Sequence, residues 1–247
     1  MVHLAPAVAD VAAVARTMDG VVGVALGGSR ATGTADPHSD WDLGVYYRGT
    51  PDLAPLARFG EVHPPGAWGR IMNGGAWLRH RDVRVDVVLR DIDAVEHWTS
   101  MAVDGIYEVD GLLGYLAGIP TYTLAGELAG NVLLDGRMPP AVGFPRALAA
   151  TAVERWRFSA WFSIEHARMR ARRGDAVGTL GQLGRATLEA AHAIMCARRA
   201  RVLNEKHLIE RAGLDDVNGL VTGVAANPAD LTACVDAVRA SLAQAAV

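Results

Sequence analysis

Apolar residues recur three and four positions apart from Leu4 through Val8, Val11, Val14 and Ala15 to Met18, the spacing of one helical face, and predict a helix over 4–18 that packs on a sheet. The period then shortens. Val21-Val22-Gly23-Val24-Ala25-Leu26 is a continuous apolar run of strand length, and strands are predicted near 21–27, 41–47, 75–80 and 83–89. In the last of these Val85, Val87 and Leu89 share a face, which leaves Asp86 on the opposite one. Pro51 opens a short helix, Pro64-Pro65-Gly66 marks a loop, and Asp93 to Ser100 reads as helical. Gly111, Gly114, Gly118 and Pro120 then interrupt every period. Long helical patterns resume over 144–173 and 178–201, followed by 204–211 and 228–245. This order predicts an α+β fold, a mixed sheet with flanking helices followed by a C-terminal helical bundle, with domains at 1–136 and 137–247.

Composition narrows the function more than the fold. The 247 residues, 51% of them apolar, can fill one large core or two modest ones, and two is the better prior. No run of 18 uncharged apolar residues occurs, and the opening Met1-Val2-His3-Leu4 has no basic region leading into a hydrophobic stretch, so a cytoplasmic protein with no membrane partner is expected. Cys196 and Cys234, the two cysteines, sit among alanines in helical patterns and read as buried thiols. The net charge of −3 hides an uneven distribution: 91–136 holds eight acids and no Lys or Arg, whereas 137–211 holds fourteen bases against six acids. A pI near 6.2 without a basic stripe disfavours a nucleic-acid partner. An acidic stretch beside an arginine-rich one suits a cationic acceptor and a triphosphate; solvated helix faces explain it equally well.

The chemistry concentrates in one run. The apolar strand at 21–26 leads into Gly27-Gly28-Ser29-Arg30, where bare backbone can approach phosphate oxygens and the Ser29 hydroxyl can donate to them. Ten residues on comes Ser39-Asp40-Trp41-Asp42-Leu43. In an extended chain Asp40 and Asp42 point the same way roughly 7 Å apart. Like charges about 4 Å apart repel by about 4 kcal/mol at a protein-like dielectric, a cost that a divalent cation turns into binding. Asp86, inside a strand where a charge needs a reason, is the candidate third carboxylate; Asp82, Asp91 and Asp93 suit turns and caps. Three such groups fit two Mg²⁺ ions in the clamp used for nucleotidyl transfer.

Gly28-Ser29, then Ser39-Asp40-Trp41-Asp42-Leu43, then a lone Asp86 resembles the signature of the DNA polymerase β-like nucleotidyltransferase superfamily. Gly-Ser-Arg-Ala followed by Ser-Asp-x-Asp-Leu looks most like its small-molecule branch, which includes aminoglycoside and lincosamide nucleotidyltransferases. The resemblance covers about the first 90 residues. It implies an N-terminal catalytic domain that moves a nucleoside monophosphate from a nucleoside triphosphate such as ATP to a hydroxyl of a small molecule, with an aminoglycoside-like antibiotic as one acceptor. On this reading Asp40, Asp42 and Asp86 are catalytic metal ligands, and Gly28, Ser29, Arg30 and Ser39 contact the nucleotide. Lys206, on the predicted helix opened by Asn204, is the candidate basic residue for the triphosphate. A protein or RNA acceptor, and a non-catalytic nucleotide-binding relative, are the alternatives. Phe158, Trp161, Phe162 and Glu165 fall at helical spacing and suit a core stripe whose edge could line an acceptor pocket, with Glu165 or Glu154 as a candidate base. His38 reads as a turn residue.

Overall fold

The computed structural model describes residues 3–36 and 39–245, so His38 lies outside the described residues. The chain clusters into two compact units. The first comprises 1–101, 108–113 and 120–143, and the second 102–107, 114–119 and 144–247.

The first unit is a mixed sheet with helices on both faces. After helix α1 (Pro6–Arg16) come β1 (Val21–Leu26), a short α2 (Gly28–Thr32), β2 (Trp41–Tyr47), α3 (Ala54–Ala57), β3 (Gly60–His63), α4 (Gly69–Met72), β4 (Gly75–His80) and β5 (Val83–Asp91). Helices α5 (Ile92–Val103) and α6 (Thr123–Gly130) precede a last strand, here β6 (Val132–Gly136). Among the described residues six strands form one sheet in the order β3-β4-β5-β2-β1-β6. β2 and β5 run parallel and the other neighbours antiparallel, so the α+β expectation holds.

Strand alternation sorts this sheet into an oily and a chemical face. Val24, Leu26, Leu43, Val45, Val85, Val87, Leu89, Ala76 and Leu78 are buried together with Val8, Val11, Ala12 and Ala15 of α1. The period of 2 then forces Asp42, Gly44 and Tyr46 of β2, and Asp86, Val88 and Arg90 of β5, to the opposite face. At one end of that face Arg90, whose side chain is 3% exposed, forks onto Glu127 of α6 through Nε to Oε2 at 2.6 Å and Nη2 to Oε1 at 2.5 Å. Tyr46, beside it, accepts a hydrogen bond from Asn131 Nδ2 at 3.0 Å, and burial pushes its phenol up to about 12.

The second unit is helical, built from α7 (Arg146–Ala171), α8 (Ala176–Ala197), α9 (Leu208–Ala212), α10 (Asp216–Val221) and α11 (Pro228–Gln244). Gly174, at φ +73°, turns the chain after α7, and Asp175 caps α8 by accepting Gly178 N at 2.8 Å. The buried positions of α7 are Leu148, Ala152, Trp156, Ala160, Ser163, Ile164, Ala167 and Ala171, a mainly small-residue stripe. The aromatic stripe read as core faces the other way: Phe158, Trp161 and Phe162 are all exposed. Trp156 is the aromatic that goes in, with His192 of α8 stacked on it at 4.4 Å and 13°. The helix expected over 204–211 starts only at Leu208, because residues 204–207 form a turn that ends with His207 at φ +54°. Glu205 in that turn accepts the backbone N–H groups of Leu116 and Ala117 at 3.0 and 2.8 Å.

Candidate active site

Asp42 and Asp86 meet because their strands do. They are direct register partners in the parallel β2/β5 pair, which puts their Cα atoms about 5 Å apart on the chemical face. Both are half-buried, and both line one cavity of about 580 Å³.

The glycine turn is fitted to this pair. Gly27 N donates to the carbonyl of Asp42 at 2.8 Å, continuing the β1/β2 ladder one step past the strand. Gly28 follows at φ +63°, and a Cβ there would overlap the Asp42 carboxylate, standing 2.7 Å from its Cγ. Only a residue without a side chain lets the turn lie against that acid. Ser29 follows, half-buried, and its hydroxyl has no hydrogen-bond partner among the described residues.

Arg30 and Ser39 have structural work in the loop before β2. The Arg30 guanidinium donates Nη2 to Ser39 O at 2.5 Å and Nε to Asp40 O at 3.2 Å, and it stacks on the Trp41 ring at 4.3 Å. Ser39 Oγ accepts Asp36 N at 3.0 Å. Arg30 thereby holds the segment that feeds Asp42 into the sheet, rather than presenting its charge to the cavity. Asp40 precedes the strand and lines a different hollow, of about 460 Å³, with Arg30, Arg79 and Arg84. Among the described residues no three His, Cys, Asp or Glu side chains stand close enough to hold a metal ion. The structure thus brings Asp42, Asp86 and Gly28 together, with Ser29 beside them, and leaves Asp40 at the edge.

Lys206 belongs to the second unit, where it is exposed in the 204–207 turn, its backbone N–H bonded to Asn204 Oδ1 at 2.9 Å. Glu165 of the same unit lies 3.6 Å from Arg168, and Glu154 is exposed.

Sequence reading missed the aromatic wall of the cavity. Trp77 of β4 is the register partner of Asp86, and Trp68, from the turn before α4, stacks on Trp77 at 5.3 Å and 24°. His63 meets the edge of Trp77 at 4.5 Å. The signal was available for Trp77, since Ala76 and Leu78 are core residues and alternation sends Trp77 to the face of the acids. It was absent for Trp68, which lies in a loop.

Residues 9–99 match the nucleotidyltransferase domain family, and they contain β1, the glycine turn, β2 and β5. The N-terminal part of the chain is therefore a nucleotidyltransferase domain, the catalytic domain of that class of enzyme. No curated protein matches the sequence. The solved structures that match include two that align over most of the chain. One is a nucleotidyltransferase-like protein from Exiguobacterium sibiricum 255-15, 12% identical, with 93% of this chain and 71% of that one covered and a TM-score of 0.45. The other is an aminoglycoside 6-adenyltransferase from Bacillus subtilis, 9% identical, covering 96% of this chain and 89% of that one with a TM-score of 0.29.

Proposed function

We propose, on the premise that residues 9–99 form a nucleotidyltransferase domain, that the chain transfers a nucleoside monophosphate from a nucleoside triphosphate to the hydroxyl of a small molecule and releases pyrophosphate. The observation that carries this reading is the register pairing of Asp42 with Asp86 inside one cavity, with Gly28 pressed against Asp42.

Two half-buried carboxylates opposed across neighbouring strands are the donor set a hard divalent cation takes, so the residues fit Mg²⁺. Asp42 and Asp86 would hold it; Asp40, two residues earlier, is the further carboxylate the sequence offers, and it faces the neighbouring hollow beside Arg30, Arg79 and Arg84. When bound, magnesium neutralises triphosphate charge and lowers the cost of charge development at the α-phosphorus. Ser29 Oγ donates to an outer phosphate oxygen, and the bare Gly27-Gly28 backbone lets the phosphates approach closely. Asp86 orients the acceptor hydroxyl and takes its proton. The hydroxyl oxygen forms a bond to the α-phosphorus as the bond to the β-phosphate oxygen breaks, and pyrophosphate leaves with that electron pair. Most of the rate comes from positioning and charge rather than from covalent chemistry by the protein.

The direct test is pyrophosphate release from each of four nucleoside triphosphates, with and without Mg²⁺, against a panel of hydroxylated antibiotics and metabolites. Release that depends on both metal and acceptor, and that is lost in Asp42→Ala, supports the reading. Wild-type-like turnover by Asp42→Ala refutes it.

A further inference from the structure

We propose that the Trp68/Trp77 pair is the acceptor platform of this site, and that the acceptor is a hydroxylated compound carrying a ring with an apolar face rather than a polycation. The inference rests on the nucleotidyl-transfer reading above and names the class of its second substrate.

The chemical face of the sheet has a sequence of functions across its strands. Gly28 and Ser29 follow β1, Asp42 is on β2, Asp86 is its partner on β5, and Trp77 is the partner of Asp86 on β4. Strands lie about 5 Å apart, so the Trp77 backbone is about 5 Å from Asp86 and about 10 Å from Asp42. In-line displacement at phosphorus requires the entering and leaving oxygens to sit on opposite sides. If pyrophosphate departs toward Gly28 and Ser29, the acceptor enters from beyond Asp86. That is where the tryptophans stand.

The platform is built into the fold. A Cβ at Gly75 would run into the carbonyl oxygen of Val87 on β5 and would stand 2.7 and 2.8 Å from ring carbons of Trp68, so the bare position serves the strand pairing and also leaves room for the indole over the sheet. Gly75 and Trp77 share a face of β4, which brings Trp68 alongside Trp77. At 5.3 Å between centroids the two rings are too close to admit a third, which needs about 7 Å at ordinary contact distances. The pair therefore offers outer surface, not a slot, and Trp77 is 54% exposed.

Charge decides the class of ligand. Among the described residues lining the cavity, Asp42 and Asp86 are the charged ones, and the rest are apolar or glycine, including Met72, Leu112 and Leu113. The further acids, Glu61 opposite Trp77 on β3 and Asp110 beside Gly69, stand at the rim, so a polycation would find in the wall itself only the two acids that the metal claims. A ring with an apolar face gains by stacking on indole, and it sets a hydroxyl on its near edge within reach of Asp86.

Saturation-transfer NMR with two probes tests this without turnover. Phenyl β-D-glucopyranoside represents the ring class and 2-deoxystreptamine the cationic class, each with wild type, Trp68→Ala, Trp77→Ala and Trp77→Phe, in the presence of Mg²⁺ and a non-hydrolysable ATP analogue. The glucoside is expected to receive saturation on its ring protons in wild type and Trp77→Phe, and at least fivefold less in either alanine variant, with deoxystreptamine weaker throughout. Equal transfer in the alanine variants, no transfer in wild type, or stronger binding of deoxystreptamine overturns the proposal. Calorimetry of the ATP analogue on the same proteins separates the two readings. Nucleotide affinity that falls with the tryptophans assigns the platform to the nucleobase and overturns the acceptor proposal. A wild type that binds the glucoside through Trp77 but no nucleotide refutes the nucleotidyl-transfer reading instead.

Discussion

Gly28→Ala should damage metal binding out of proportion to its cost in stability, because one methyl group acts on two things at once. The first is backbone strain. Gly28 sits at φ +63°, where a side chain costs about 1–2 kcal/mol. The second is displacement: the new Cβ would stand 2.7 Å from Asp42 Cγ and nearer still to Oδ2, against the 3.5–4.0 Å at which carbon atoms normally meet, so the carboxylate must move by more than about 1 Å. An off-rotamer side chain adds about 0.5–1.5 kcal/mol, for a total near 2–3 kcal/mol. A misplacement of this size can cost about a hundredfold in rate, and a carboxylate turned away from Asp86 should weaken Mn²⁺ binding at least tenfold. Gly33→Ala is the control. It carries the same kind of strain at φ +73° with nothing within 4 Å of its Cβ, so it should lose about 1–2 kcal/mol and keep its metal affinity. Urea unfolding gives the stabilities, and Mn²⁺ titration by calorimetry or electron paramagnetic resonance gives the affinities. If Gly28→Ala binds Mn²⁺ as Gly33→Ala does, the position of Asp42 does not define the metal site.

Three further outcomes follow from single contacts. Ser29→Ala should lower nucleotide affinity about tenfold, the worth of one hydrogen bond to a charged phosphate, without shifting the melting temperature, since the hydroxyl bonds nothing among the described residues; unchanged affinity in calorimetry removes Ser29 from the site. Glu127→Ala leaves the Arg90 guanidinium buried without its carboxylate and should cost about 3 kcal/mol in urea unfolding, much of which Arg90→Met on the same background should restore; a loss below about 1 kcal/mol would show the pair to be dispensable. Burial lowers the His192 pKa from 6.5 to about 3, so below pH 6.5 the unfolded chain binds a proton that the folded one refuses. Stability is then full above pH 6.5 and falls by about 1.4 kcal/mol for each pH unit toward 3. His192→Phe, which keeps a flat ring against Trp156, should show a shallower decline in thermal melts between pH 7 and 5, and an identical slope would exclude His192 as the source.

What the amino-acid order determined by itself is whatever depends on local periodicity. Alternation in 41–47 and 83–89 was enough to set Asp42 and Asp86 apart from the oily face, since parity needs no knowledge of neighbours. Long helices were legible for the same reason. Short elements were not: β3, α4 and α10 have too few residues to show a period, and α6 and β6 follow a glycine-rich stretch that hides their onset. Tertiary structure alone decided the partners. Register across β2, β5 and β4 aligned Asp42, Asp86 and Trp77 in one row, and the missing side chain at Gly75 left room there for Trp68 from a loop. It also turned Arg30 onto the carbonyls of Ser39 and Asp40, left Asp40 outside the cavity, and gave the inward face of α7 to small residues instead of the aromatic stripe. Such choices are made between segments far apart in the chain, by which surfaces fit at contact distance, and no pattern within one segment encodes them.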